Sequence, residues 1–382
     1  MRVAALIDTY DVLGAGRQLA PMGPALRERG VAHRVVVFHR AGRRPAPYAS
    51  YLAELGADHV VVPERRAMDV GILRRTAAEL EAFDPDVVET HGYKPGTVAA
   101  TLRAVGNPRW KWIAFFHGST TENLKVRAYH WLDRRVMQRA DRLAVMSPLH
   151  RDGFAHMGDR VRVVYNAVAQ LPAAGDAPAV DLAGAFAPPP APDVPMLGVV
   201  GRLSSEKGVD VFLDACAHLA EDGVPFRAAV VGDGPDRAAL TARARALGLD
   251  DRVAFVGAVR NVAQAYQQLT CLVIPSRSEG LPNVLLEALD HDLPVVSTRV
   301  GAVPQVLTDP LAGVVVPPED PRALADGIRR GVALAGDPDA GAARAAAARR
   351  FSLDARVDAH LALYTELTAA ARAGRVSLGV AP

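Results

Sequence analysis

Residues 275–289 read PSRSEGLPNVLLEAL and carry two glutamates, Glu279 and Glu287, with seven residues between them. An apolar run, TCLVIPS at 270–276, precedes them and reads as a buried strand. Pro282 suits the first turn of a helix, where its missing N–H is no loss. Glu279 then stands ahead of that helix, and Glu287 lies on it, on the order of 7–8 Å along the axis. The open N–H groups of Gly280, Leu281, Asn283 and Val284, with the helix dipole, attract an anion such as phosphate. Gly280 lets a ligand approach the backbone closely. An ionised carboxylate accepts paired hydrogen bonds from vicinal hydroxyls, so a sugar on one side of the anion and a ribose on the other would fit. Two other readings stay open on these residues alone. Glu279 pairs with Arg277 on the surface while Glu287 meets solvent, or the two carboxylates form a glycosidase pair, which needs no phosphate site.

A second stretch, VVGRLSSEKGVDVFLDAC at 199–216, ends a strand at Gly201 and then places Arg202 and Lys207 around a helix start. A planar fork and a point charge at such a position suit a diphosphate; the alternative is a solvated loop with two surface charges. In VVGDGPDR, residues 230–237, Gly232 and Gly234 flank Asp233. A tight strand-to-helix turn explains them, and a nearby nucleotide is compatible. Gly14, in LGAGRQL at 13–19, would let that loop pass close to a ligand; a plain turn is the alternative. ETHGYKPG at 89–96 and FFHGSTTENLK at 115–125 each put a His-Gly pair at the end of an apolar strand. His117 is placed to hydrogen-bond a sugar hydroxyl or polarise the reacting group, and His91, Tyr93 and Lys94 are candidates for acceptor contacts. No metal is expected: the Asp-Pro-Asp segments at 84–86 and 337–339 read as turns, and no His/Cys cluster occurs.

These residues need strands and helices to hold them. Apolar runs at 2–8, 33–39, 59–63, 86–91, 111–118, 142–147 and 160–166 read as strands, with helical segments at 17–29, 69–83, 95–105 and 124–140. Residues 171–195 are rich in Pro, Gly and Ala without periodicity and read as a linker. The alternation resumes with strands at 196–201, 226–234, 252–257, 270–276, 293–298 and 312–317 and helices at 208–221, 235–247, 261–268, 282–290 and 321–335. Residues 340–350 read as solvated helix, and 351–374 as a closing helix behind a Ser352 cap. Continuous buried runs with helical crossovers predict two α/β units with parallel sheets. Ligands of such sheets bind outside the carboxyl ends of the strands, so two facing units would make a cleft.

The chain has 382 residues, half of them hydrophobic, and a formal net charge of +2. That balance argues against a nucleic-acid partner. Cys216 and Cys271 sit in apolar segments and read as buried thiols of a cytosolic protein. The N-terminal apolar run is too short for a signal peptide, and no run approaches the roughly 20 residues of a membrane span. A cytoplasmic protein is expected, at most peripheral on a membrane. The basic helix at 125–142, with Tyr129, Trp131, Arg134 and Arg135, would lie on an anionic membrane or meet a lipid-linked acceptor, or is a solvated face over a core stripe.

Together GRLSSEKGVDVFL, VVGDGPDRAAL, RVAFVGAV and PSRSEGLPNVLLEALDHDLPVVSTRVGAVPQV, spanning about 197–307, resemble the retaining nucleotide-sugar glycosyltransferases of family four, also called glycosyl transferases group 1, which have the GT-B architecture. THGYKPG, FFHG and RVRVVYNAV extend the likeness N-terminally. The resemblance implies two Rossmann-like domains with the active site between them: an acceptor domain at 1–170, a linker at 171–194 and a donor domain at 195–351, with the helix at 352–374 packing back on the first. It implies Arg202 and Lys207 on the donor diphosphate, Glu279 on the donor sugar, and Gly280 and Leu281 supplying amides. Glu287 would bind the ribose, His117 would touch the donor sugar, and the base would lie near Val259. A nucleoside-diphosphate sugar is then co-substrate, without a further cofactor, and the acceptor is a sugar or lipid-linked hydroxyl. Departures are Ala15 after Gly14, Asp290 and Asp292 where Ala and Gly are usual, and Gln305 for a frequent Glu; Asp292 would take a left-handed conformation at a helix end. An epimerase or hydrolase of this architecture, or a non-catalytic nucleotide-sugar sensor, stays open as an alternative.

Overall fold

The computed structural model describes residues 1–10, 12, 14–40, 47–65, 69–106, 108–117, 124–168, 179–259 and 261–376, with the side chains of 124–130 and 370–376 left aside. Within these residues, β1 (Arg2–Ile7), β2 (Ala32–Arg40), β3 (His59–Glu64), β4 (Val87–His91), β5 (Lys111–Phe116), β6 (Arg142–Val145) and β7 (Val161–Val163) form one sheet, in the order β3-β2-β1-β4-β5-β6-β7. A second sheet has the order β10-β9-β8-β11-β12-β13. Its strands are β8 (Met196–Val200), β9 (Arg227–Val231), β10 (Val253–Gly257), β11 (Cys271–Ile274), β12 (Val295–Thr298) and β13 (Gly313–Val316). Every pairing is parallel. The cause lies in the sequence: runs such as Val3–Ala4–Ala5–Leu6, wholly buried, leave no polar face and must be covered on both sides.

The chain divides into two compact units, Met1–Ala169 with Ser352–Pro382, and Gln170–Phe351. In each sheet the strand order reverses beside its first strand, between β1 and β4 and between β8 and β11. Such a reversal leaves a crevice outside the strand ends. Arg202 and Lys207 follow β8, and Glu279 follows β11, so motifs more than 70 residues apart in sequence meet at one switch point.

The helices depart from the periodicity in places. The segment expected at 17–29 is two helices, Gly14–Leu19 and Met22–Glu28, divided before Pro21, which has no N–H to continue the ladder. Helices Pro47–Glu54, Pro148–Asp152 and Val303–Val306 were not signalled. The helix Pro338–Arg350 is not a solvated one: Ala340, Arg344, Ala347 and Ala348 are buried, and Arg344 reaches Asp292 at 2.7 Å. Asp292 has a φ of 54°, as a helix end there requires. Part of the expected linker is structured. Leu182 and Phe186 are buried, and the N–H groups of Val180 and Leu182 donate to Gln264 and Gln268 at 3.0 and 2.9 Å; residues 171–178 lie outside the described ones.

The closing helix Leu353–Val376 belongs to the first unit. Val357, Leu363 and Leu367 are buried, Arg356 donates to the Tyr165 carbonyl at 2.8 Å, and Glu366 accepts from Arg142 and Arg162 at 2.6 and 2.8 Å. Cys216 and Cys271 are buried free thiols; burial pushes Cys271 up to about 12 and Cys216 further, so neither is a nucleophile.

Candidate active site

At the end of β8 the chain enters a short 3-10 turn, Ser205–Lys207, which ends on Gly208 with φ 63° and ψ 27°. A Cβ on Gly208 would stand 2.1 Å from the carbonyl oxygen of Pro275. The turn is thus pressed against the segment leaving β11, and Lys207 Nζ reaches Glu279 Oε1 at 2.7 Å. Ser276 Oγ donates to the same oxygen at 2.8 Å. The surface pairing of Glu279 with Arg277, one of the readings open to the sequence, does not form. Arg277 instead grips Asp210 with two bonds of 2.8 and 2.7 Å, donates to the Ser205 carbonyl at 2.7 Å, and pairs with Glu319. Its guanidinium holds the Asp210 carboxyl below the usual range. Arg277 therefore fastens the Glu279 loop to the Lys207 turn. The sequence offered no signal for this role, since Asp210 is 67 residues away.

Val199, Gly201, Arg202, Lys207, Glu279 and Val284 line one shallow recess. Arg202 is exposed at its rim. Pro282 is the N-cap of the helix Asn283–Asp290 rather than a residue of its first turn, and its own side chain supplies no cap. Glu287, on its buried face and 1% exposed, accepts from the Tyr266 hydroxyl at 2.8 Å. Gly232, at the end of β9, packs its backbone on Gly201, where a Cβ would come within 1.9 Å of the Gly201 carbonyl. This close packing of strand ends requires a glycine here. Val259 follows β10, half-buried.

In the first unit, His91 ends β4 and His117 follows β5. His91 is 3% exposed, and its Nδ1 lies 3.0 Å from His117 Nε2. It thus faces inward, while His117 is half-buried. Lys94 pairs with Asp8 and Glu64 at 2.9 and 3.0 Å, beside Arg40, and Tyr93 opens the helix Tyr93–Gly106. Gly14, with φ 49°, starts the helix Gly14–Leu19.

Among the described residues, no group of three or more His, Cys, Asp or Glu is arranged to hold a metal, and no helix is long and apolar enough to cross a membrane. On the basic helix, Arg134 is turned over the rings of Phe116 and Phe154 at 5.5 and 5.4 Å. Arg135 lies 5.0 Å from the Trp131 ring, which is 60% exposed. The Tyr129 side chain lies outside the described ones.

The family model described as Glycosyltransferase Family 4 matches residues 12–169, and that of Glycosyl transferases group 1 matches 194–333. Among curated proteins, the D-inositol 3-phosphate glycosyltransferase of Saccharomonospora viridis is 31% identical over 65% of this chain and 61% of its own length. The alpha-D-kanosaminyltransferase of Streptomyces kanamyceticus is 33% identical over 46% of each. Both alignments span less than two thirds of the relative. Among solved structures, Anabaena Alr3699/HepE in complex with UDP superposes with a TM-score of 0.73 at 17% identity, covering 96% of this chain and 100% of that one. At that identity the likeness concerns the fold. Sequence models on both halves and two parallel α/β sheets agree: this chain belongs to the family 4, group 1 glycosyltransferases and has the α/β, GT-B class of fold.

Proposed function

We propose that the chain moves a sugar from a nucleoside-diphosphate sugar to a hydroxyl of a glycan, lipid-linked sugar or small-molecule acceptor, with retention and without a metal. One observation carries the reading: Arg202, Lys207 and Glu279 share a recess at the switch point of the second sheet, beside the start of the helix Asn283–Asp290. In this reading the bond between the sugar C1 and the diphosphate oxygen breaks. The charge growing on the diphosphate is met by Arg202, Lys207 and the amides beginning at Gly280 and Leu281. The acceptor oxygen forms the new bond to C1 on the face the nucleotide leaves, and its proton passes to a phosphate oxygen. Glu279 holds Lys207 through Oε1 and offers Oε2 to a sugar hydroxyl. Glu287, steadied by Tyr266, takes the ribose hydroxyls. Gly14, Gly201 and Gly232 keep the strand ends low enough for the donor, and Val259 borders the base. His117 takes a sugar hydroxyl; Tyr93 and Lys94 serve the acceptor.

The test is a panel of UDP-, GDP- and ADP-sugars, first by thermal shift and then with labelled donor and candidate acceptors. Transfer to acceptor with the donor's anomeric configuration is expected, at a rate unchanged by EDTA. Free sugar or an epimer as sole product, or binding without turnover, would replace this reading; a loss on chelation restored by magnesium would remove its metal independence.

A peripheral membrane contact rests on the exposed Trp131–Arg135 pair. Pelleting with phosphatidylserine vesicles is expected to fall several-fold in Trp131→Ala/Arg135→Glu, and equal pelleting of wild type and variant would remove the contact.

A further inference from the structure

Glu89 and His91 stand two residues apart on β4 and so share one face of the first sheet. In the register of the sheet, Phe115 of β5 lies beside His91, and His117 continues the same face. The rings stack in sequence: His91 on Phe115 with centroids 4.6 Å apart, and His91 on His117 at 5.3 Å. From above, the closing helix lowers His360 and Tyr364, four residues apart and therefore neighbours on its surface, onto this row. Tyr364 donates to Glu89 Oε1 at 2.7 Å, and His360 Nδ1 lies 3.2 Å from the same oxygen.

Glu89 is fully buried. Burial alone would raise its pKa, but His360 and His91 outweigh it and hold the carboxyl well below its ordinary range. An ionised carboxylate only accepts hydrogen bonds. Its second oxygen, Oε2, faces His91 Nε2 at 3.7 Å, and neither atom has a hydrogen-bond partner among the described residues. Each is thus the natural partner of the other, and a proton on His91 Nε2 satisfies both. With its one proton on Nε2, the His91 ring has only a lone pair on Nδ1. The nitrogen 3.0 Å from it, His117 Nε2, must be the donor. Burial lowers the His117 pKa well below its ordinary value, which keeps that ring neutral. With one nitrogen protonated, the other, Nδ1, is an acceptor.

We propose that Glu89 and His91 are positioning residues that fix His117 as a hydrogen-bond acceptor, so that the group it meets is a hydroxyl and not a phosphate or carboxylate. This rests on the glycosyltransferase reading for its substrate, a sugar hydroxyl. It also gives the closing helix a part in the site: His360 and Tyr364 hold the carboxylate on which the two imidazoles depend.

The experiment is a two-bond proton–nitrogen correlation spectrum of the full chain labelled with nitrogen-15 histidine, at neutral pH. His117 and His91 are assigned by comparison with His117→Gln and His91→Asn. Both rings are expected to carry their proton on Nε2. A proton on Nδ1 of either ring overturns the proposal. In Glu89→Gln the charge that orders the relay is gone while the shape remains. The kcat for transfer is expected to fall about 10- to 100-fold, the usual cost of losing a partner that orients a working group, with the donor KM unchanged. Wild-type kcat in a folded Glu89→Gln also overturns it. Should that variant not fold, the wild-type spectrum decides. The spectrum needs neither donor nor acceptor, so a chain that transfers no sugar still tests the relay, and a failed relay leaves the transfer assay standing.

Discussion

Lys207→Ala is expected to lower sugar transfer about 10²- to 10³-fold, the usual consequence of removing one preorganised group from a site of developing charge. The argument runs from geometry. Lys207 leaves a short turn at the end of β8, and its ammonium meets Glu279 at 2.7 Å in the recess that Arg202 also lines. In a reaction where a diphosphate departs, the ammonium has more to gain in the transition state than in the ground state, so its loss falls on kcat. The fold should tolerate the change. The side chains of Lys207 and Glu279 are 30% and 11% exposed, and a pair that solvent reaches contributes only about 0–1 kcal/mol. Ser276 remains on Glu279. Lys207→Arg is not a rescue, because a planar fork cannot occupy the place of a point charge between a carboxylate and a phosphate. Glu279→Ala is expected to show the same loss, since it releases Lys207 and removes an acceptor for the sugar. Assays of kcat beside thermal unfolding curves decide: wild-type turnover in both variants would end the assignment of this recess to the donor.

The residues themselves carried most of this architecture, for a physical reason. Most strands among the described residues contain short apolar runs, such as Val3–Leu6, Val35–Phe38 and Cys271–Ile274, and such runs declare a strand buried on both faces without any knowledge of its neighbours. Elements stabilised by single anchors were not readable. The segment around 182–186 is held by Leu182, Phe186 and two glutamine side chains, a pattern without a period. The helix Pro338–Arg350 buries alanines and the entire side chain of Arg344, a residue type that hydropathy counts as solvated. In the recess, the residue types and their places at strand ends were legible because a helix start and paired carboxylates have chemistry of their own. Their partners were not. Whether Glu279 meets Arg277, two residues away, or Lys207, 72 residues away, depends on which strands lie side by side, and only the order β8-β11 settles it. His91 shows the same limit from the other side. Its strand-end position suggested an outward contact, whereas Glu89 and His117 turn both its nitrogens inward.

Gly208→Ala should be far more damaging than Gly223→Ala in the same unit. Gly208 and Gly223 both hold positive φ, 63° and 73°. Alanine in that conformation costs roughly 1–2 kcal/mol wherever it occurs. At Gly223 a Cβ meets nothing within 4 Å, so Gly223→Ala measures that conformational cost alone. At Gly208 the same Cβ would be 2.1 Å from Pro275 O and 3.0 Å from Pro275 C. Those are main-chain atoms, which no rotamer change can move. The turn and the end of β11 must separate, and each carries part of the site: the turn carries Lys207, and the segment after Pro275 carries Ser276 and Glu279. The Arg277 N–H that donates to the Glu206 carbonyl at 2.8 Å and the guanidinium bond to Ser205 stitch the same seam and resist that separation. Strain of this kind belongs to the overpacking class, typically about 1–3 kcal/mol on top of the backbone term. Denaturant midpoints should therefore rank wild type above Gly223→Ala above Gly208→Ala. Transfer should remain near wild type in Gly223→Ala and fall toward the Lys207→Ala level in Gly208→Ala, measured where both are folded. Matching midpoints for the two alanine variants, with transfer intact in each, would mean that the turn does not press on β11, and the convergence of Lys207 with Glu279 would have to be abandoned with it.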